Sequence, residues 1–102
     1  MKQIIVRYKV KAERAAENAE LVRAVYAELN ETKPTGLRYA TFRLEDGVSF
    51  VHLASHDSED GRSPLSEVQA FQRFQEHIDD RCEKGPVVSS LREIGSDRFL
   101  GA

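Results

Sequence analysis

A chain of 102 residues makes one domain with one modest core, and a net charge of −2 without any Lys/Arg run excludes nonspecific binding to nucleic acid or to an anionic membrane surface. The single cysteine, Cys82, excludes an internal disulfide and suits a reducing compartment. The start MKQIIVRYKV is too short in apolar residues for a signal segment and no run approaches a membrane span, so a cytoplasmic location is expected.

Residues 3–10, QIIVRYKV, alternate as a strand, with Ile4, Val6, Tyr8 and Val10 on one side and Gln3, Ile5, Arg7 and Lys9 on the other. Ala15, Ala19, Val22, Val25, Tyr26 and Leu29 recur at helical spacing and predict a helix over 12–31, stopped by Pro34 and Gly36. LRYATFRLE (37–45) is a second strand and 48–55 a third, joined at Asp46-Gly47 by a two-residue turn. Residues 58–64 form an acidic, solvated connector. Ser63-Pro64 opens a second helix, with Ser66 and Gln69 as a capping box. Val68, Phe71, Phe74, Ile78 and Cys82 form its apolar stripe, and Gly85-Pro86 ends it. VVSSLREI (87–94) is the last strand, and Phe99 in the tail is expected to dock.

The order β-α-β-β-α-β predicts an α+β, ferredoxin-like domain spanning 1–102, a four-stranded antiparallel sheet with both helices on one face. The hairpin turn pairs Arg43 with Phe50, Thr41 with His52 and Tyr39 with Ala54 on one face. On the other it pairs Leu44 with Ser49, Phe42 with Val51, Ala40 with Leu53 and Arg38 with Ser55. The second face is the cleaner hydrophobic one, and the helices are expected there, over Ile4, Val6, Tyr8 and Val10. The first face would then be open, too apolar to stay wet, and covered by a second copy in a sheet-to-sheet homodimer. On that reading Ile5→Asp or Phe50→Asp would break the dimer.

His52 would project from the open face opposite Thr41. It reads either as a general acid/base or substrate hydrogen bond, or as a cross-strand bond to Thr41 or a dimer contact. Tyr8 and Tyr26 belong between helices and sheet, where a buried phenol needs a partner; such hydroxyls either orient a phenolic ligand or pack with one hydrogen bond. Arg7, Arg43 and Lys9, with Tyr39 and Thr41 beside them, offer a carboxylate site or cross-strand ion pairs. His52 and His56 lie about 13 Å apart along a strand, too far to share a metal, and none is expected. His77 falls about 120° off the helical stripe and should face solvent. Cys82 resembles a buried small hydrophobe.

The segments VRYKVKAERAAENAELVRAVYAEL, PTGLRYATFRLEDGVSFVHLAS and PLSEVQAFQRFQEHIDDRCEKGPVVSSLREIGSDRFL resemble the dimeric α+β barrel superfamily, in its antibiotic-biosynthesis-monooxygenase-like branch, over nearly the whole chain. The superfamily includes cofactor-independent quinone-forming monooxygenases, haem-degrading oxygenases, polyketide cyclases, dehalogenating or isomerising enzymes and members without known activity. The haem-degrading branch uses an asparagine on the first strand, a tryptophan and a ligating histidine on the second helix. The first strand here has no asparagine and the chain no tryptophan, so no cofactor is expected. Two readings result. One is an enzyme on a small aromatic or polyketide-like molecule, with His52 or Tyr8 positioning the substrate and Arg7, Tyr26, Tyr39, Thr41 and Arg43 as ligand contacts. The other is a non-catalytic homodimeric module that binds a metabolite or only assembles.

Overall fold

Alternation in the first ten residues builds β1 (Lys2–Val10), and the helical spacing after it builds a 3-10 turn (Ala12–Arg14) and α1 (Ala15–Thr32). The computed structural model describes residues 2–57 and 62–99, so most of the acidic connector lies outside the described residues. Lys33, in the left-handed conformation, closes α1 by donating its N–H to Leu29 O, and Pro34 prevents continuation. β2 (Leu37–Arg43) and β3 (Ser49–His56) follow, then a 3-10 turn (Pro64–Glu67), α2 (Gln69–Gln75), α3 (Ile78–Arg81) and β4 (Cys82–Ser90). The sheet order is β2-β3-β1-β4, all antiparallel, the ferredoxin-like arrangement expected.

The hairpin register is the expected one at every paired position from Arg38–Ser55 to Arg43–Phe50. The turn is longer than the expected two residues: it is closed by Leu44 N–H to Ser49 O. Gly47 takes φ +78°, and the Asp46 carboxylate accepts the Val48 and Ser49 N–H groups. At the other end of the hairpin, Gly36 (φ +75°) lies so close to Asp57 that an added Cβ would stand 2.9 Å from its carbonyl oxygen.

The faces are the reverse of expectation on β2 and β3. β1 pairs Val6 with His52 and Tyr8 with Phe50, so the side of β1 that meets the helices is continuous with Phe50, His52, Ala54, Tyr39 and Thr41. Phe50 is 2% and His52 4% exposed, and both belong beneath the helices, not on an open face. The open face carries Ile5, Ala40, Phe42, Leu44, Val51, Leu53 and Val87. Phe50→Asp therefore tests the core rather than an interface. Hairpin pairing states which residues share a face; it takes the β1–β3 register to state which face is covered.

The second helix also departs from expectation. One continuous helix is replaced by α2 and α3, separated at His77 (φ 57°), whose side chain is exposed as expected. The Ser66–Gln69 capping box is absent. Instead the Glu28 carboxylate of α1 accepts the N–H groups of Gln69 and Ala70 at 3.0 and 2.9 Å, capping α2 from a neighbouring element. Cys82 is buried but opens β4, which begins earlier than expected and runs through Gly85-Pro86. β4 advances three positions from Lys84 to Val87 where β1 advances two, from Lys9 to Arg7, a bulge on an edge strand where the missing proline N–H is tolerated.

Candidate functional site

The core under α1 and α2 is an aromatic box with a polar spine. Tyr8 stacks on Phe50 with ring centres 5.6 Å apart, Tyr26 stacks on Tyr39 at 5.3 Å, and Phe71 and Phe74 cover Tyr39 and His52. Strand alternation puts Tyr8, His52, Tyr39 and Thr41 on the same side of three adjacent strands, so their polar ends meet. Tyr8 Oη lies 2.8 Å from His52 Nε2. On the other side of the ring, Nδ1 meets Tyr39 Oη at 2.5 Å and Thr41 Oγ1 at 3.1 Å. Tyr26 Oη reaches Thr41 Oγ1 at 2.8 Å.

The spine continues to residues not singled out in the sequence. Asn18 Nδ2 donates to Tyr8 Oη at 2.9 Å, and Arg81 Nε donates to Asn18 Oδ1 at 3.2 Å. Arg81 also donates to Phe74 O and Glu76 O, tying down the end of α2. Asn18 is fully buried. Its signal was available: it stands three before Leu21 and four before Val22, on the stripe of Ala15, Ala19 and Val22, where a polar residue must find a partner. Arg81 carried no comparable signal, because its guanidinium acts on a helix end that the sequence reads as continuous.

Burial sets the electrostatics. Desolvation lowers the His52 pKa from 6.5 to about 4, so the ring is neutral at pH 7. Desolvation also raises Tyr26 to about 12 and pushes Tyr8 and Tyr39 higher still, so all three phenols keep their protons. Burial likewise raises Cys82, a poor thiolate. Among the described residues no buried side-chain polar atom lacks a hydrogen-bond partner.

The structure therefore brings His52, Tyr8, Tyr26, Tyr39 and Thr41 together and leaves two expected contacts out. Arg7 is exposed on the opposite face. Arg43 is exposed beside the hairpin, where it donates to Gly47 O and lies 5.7 Å over the Phe50 ring. Lys9 pairs with Glu83 rather than with a ligand-like carboxylate site. A groove of about 580 Å³ lies elsewhere, between the tail and one end of the sheet, lined by Arg38, Leu53, Leu91, Arg92, Ile94 and Phe99. Phe99 does not dock tightly and is 60% exposed. Among the described residues no three His, Cys, Asp or Glu side chains are placed to hold a metal, and no helix is long and apolar enough to cross a membrane.

No family model and no curated protein matches the sequence. Solved structures do match the fold. An antibiotic biosynthesis monooxygenase superposes with a TM-score of 0.74 at 18% identity, covering 93% of this chain and 100% of that one. A Nitrosomonas europaea protein provisionally named an antibiotic biosynthesis monooxygenase gives 0.75 at 14% identity, with 93% and 100% covered. A second N. europaea protein, of unknown function, gives 0.71 at 13% identity, with 94% and 91% covered. The chain thus has the α+β, ferredoxin-like fold of the antibiotic-biosynthesis-monooxygenase-like proteins.

Proposed function

We propose that the protein acts as a homodimer and that its buried His52 site takes the oxygen-bearing ring of a small aromatic or polyketide-like molecule in a monooxygenase-like reaction without a resident cofactor. The observation that carries this reading is the convergence of one neutral imidazole and four hydroxyls, from Tyr8, Tyr26, Tyr39 and Thr41, inside a box of aromatic rings. A core needs no such cluster for stability, since apolar groups of the same shape serve as well. The named monooxygenases among the structural neighbours support the reaction class by analogy. In such a reaction an activated CH₂ of the substrate and O₂ give a carbonyl and water. The carbon loses four electrons, one oxygen atom enters the carbonyl and the other leaves as water. The role of this chain is to exclude solvent and to hydrogen-bond the substrate oxygen as negative charge develops on it, a task a neutral imidazole performs well.

The dimer reading is supported by Phe42, Leu44 and Val87, each more than two-fifths exposed on the open sheet face beside Val51 and Leu53. A second copy packed face to face would bury them.

Oxygen uptake in the presence of a panel of anthrones and hydroxynaphthalenes tests the catalytic reading. Consumption above the buffer rate is expected for the wild type, and at least about a tenfold loss for His52→Gln folded to the same circular dichroism. No uptake across the panel would move the conclusion to the non-catalytic homodimeric module. That second reading is favoured by one observation: both His52 ring nitrogens are already occupied, and the groove of about 580 Å³ does not reach them.

A further inference from the structure

The polar spine has a direction. A guanidinium can only donate, so Arg81 must give its Nε–H to Asn18 Oδ1. That turns the amide nitrogen of Asn18 toward Tyr8, where it too can only donate. The Tyr8 hydroxyl has two partners, Asn18 Nδ2 and His52 Nε2. Its proton therefore has one acceptor within reach, the Nε2 lone pair. A neutral imidazole with its lone pair on Nε2 carries its hydrogen on Nδ1, which meets Tyr39 Oη and Thr41 Oγ1. Thr41 in turn bonds the half-buried Tyr26, and Tyr39 and Thr41 are themselves only partly buried. The buried Tyr8 hydroxyl hydrogen then has an acceptor, while those of Tyr39 and Thr41 lie at the half-buried end of the spine, where solvent or Tyr26 can take them. The opposite assignment, with the hydrogen on Nε2, strands the Tyr8 hydroxyl hydrogen in a dry core, which disfavours it by roughly tenfold or more.

We infer that Asn18, clamped by Arg81, is the positioning residue of this site: it fixes His52 as the Nδ1–H tautomer, so that whatever meets the ring from the Tyr39–Thr41 side must be an acceptor oxygen, a carbonyl or a phenolate. The ligand class rests on the functional reading above, whereas the tautomer stands without it. In the structure Tyr39 Oη holds the acceptor position at 2.5 Å, and a ligand oxygen would take its place.

Long-range ¹H–¹⁵N correlation spectra of the uniformly labelled protein at pH 7 read the tautomer directly. The chain has three histidines, and His52 is the one whose signals vanish in His52→Gln. The expected wild-type pattern is a protonated Nδ1 and a lone-pair Nε2. Asn18→Asp keeps the shape of the side chain and its partnership with Arg81 but leaves only acceptors. Tyr8 then donates to residue 18, the spine reverses, and His52 is expected to carry its hydrogen on Nε2. A wild-type ring protonated on Nε2 overturns the assignment outright, whether or not the variant folds. An unchanged Nδ1–H ring in folded Asn18→Asp removes the positioning role. Acetophenone, a neutral acceptor-only probe, tests the ligand class: chemical-shift titration should give binding at least about fivefold weaker in Asn18→Asp than in the wild type. Equal affinity, or none for the wild type, overturns the ligand class. Absent oxygen uptake with the expected tautomers would fail the catalytic reading alone.

Discussion

The two faces of the sheet invert the simplest expectation from hydrophobicity. The helix-covered face holds Tyr8 and His52, both buried, beside the half-buried Tyr39 and Thr41, while the face with Phe42, Leu44, Val51 and Leu53 lies uncovered in the monomer. Burial follows from where the helices cross, and polar groups tolerate it when they satisfy one another. An aliphatic face left bare is where the proposed second copy would pack.

The sharpest way to break this comparison is to place the same charge on each face. Phe50→Asp would bury an uncompensated carboxylate under the helices. It should cost more than about 4 kcal/mol, leaving little or no folded protein by circular dichroism. Phe42→Asp, three positions from the hairpin loop on the open face, should keep the folded signal and sediment as a monomer if that face is the dimer interface. A folded Phe50→Asp, or an unfolded Phe42→Asp, would reverse the assignment of faces.

A smaller effect comes from the titration of His52. Its folded pKa of about 4 lies below the unfolded 6.5, so the unfolded chain takes up the proton first as pH falls. The contribution is fully present above pH 6.5 and is lost progressively down to pH 4. The loss is about 3 kcal/mol, from roughly 1.4 kcal/mol per unit of pKa difference. Urea unfolding at pH 7, 5.5 and 4.5 measures it, and His52→Gln should flatten that slope. An equally steep wild-type and variant slope would place the titrating group elsewhere.

The smallest change separates the two ends of the second helical segment. Glu28→Ala removes the carboxylate that caps α2 and should cost about 1 kcal/mol, with faster amide exchange confined to Gln69, Ala70 and their turn. Exchange at the Arg81-held end should stay slow. Uniform loosening of both ends would mean that α2 opens as one unit.

Much of the fold was legible in local chemistry. The alternation of residues 3–10, the stripe of α1 and the Asp46-Gly47 signal led to three strands, one helix and a correct hairpin register. Tyr8, Tyr26, Tyr39, Thr41 and His52 were visible as candidates because tyrosine and histidine among apolar residues need partners. The break at His77 was not legible, because the stripe from Val68 to Cys82 keeps helical spacing across it. Nor was the Glu28 cap, whose partners lie 41 and 42 residues away.

By itself the sequence determined the order of elements, the pairing inside the hairpin and the identity of the residues that can carry a proton. These depend on neighbours a few positions apart, where backbone geometry is short-ranged. Only the tertiary structure decided which face is core, that Asn18 and Arg81 complete the polar spine and that Arg7 and Arg43 stay outside it. Those outcomes depend on the β1–β3 register and on helix placement, where residues up to 63 positions apart meet, and no local pattern encodes such a meeting.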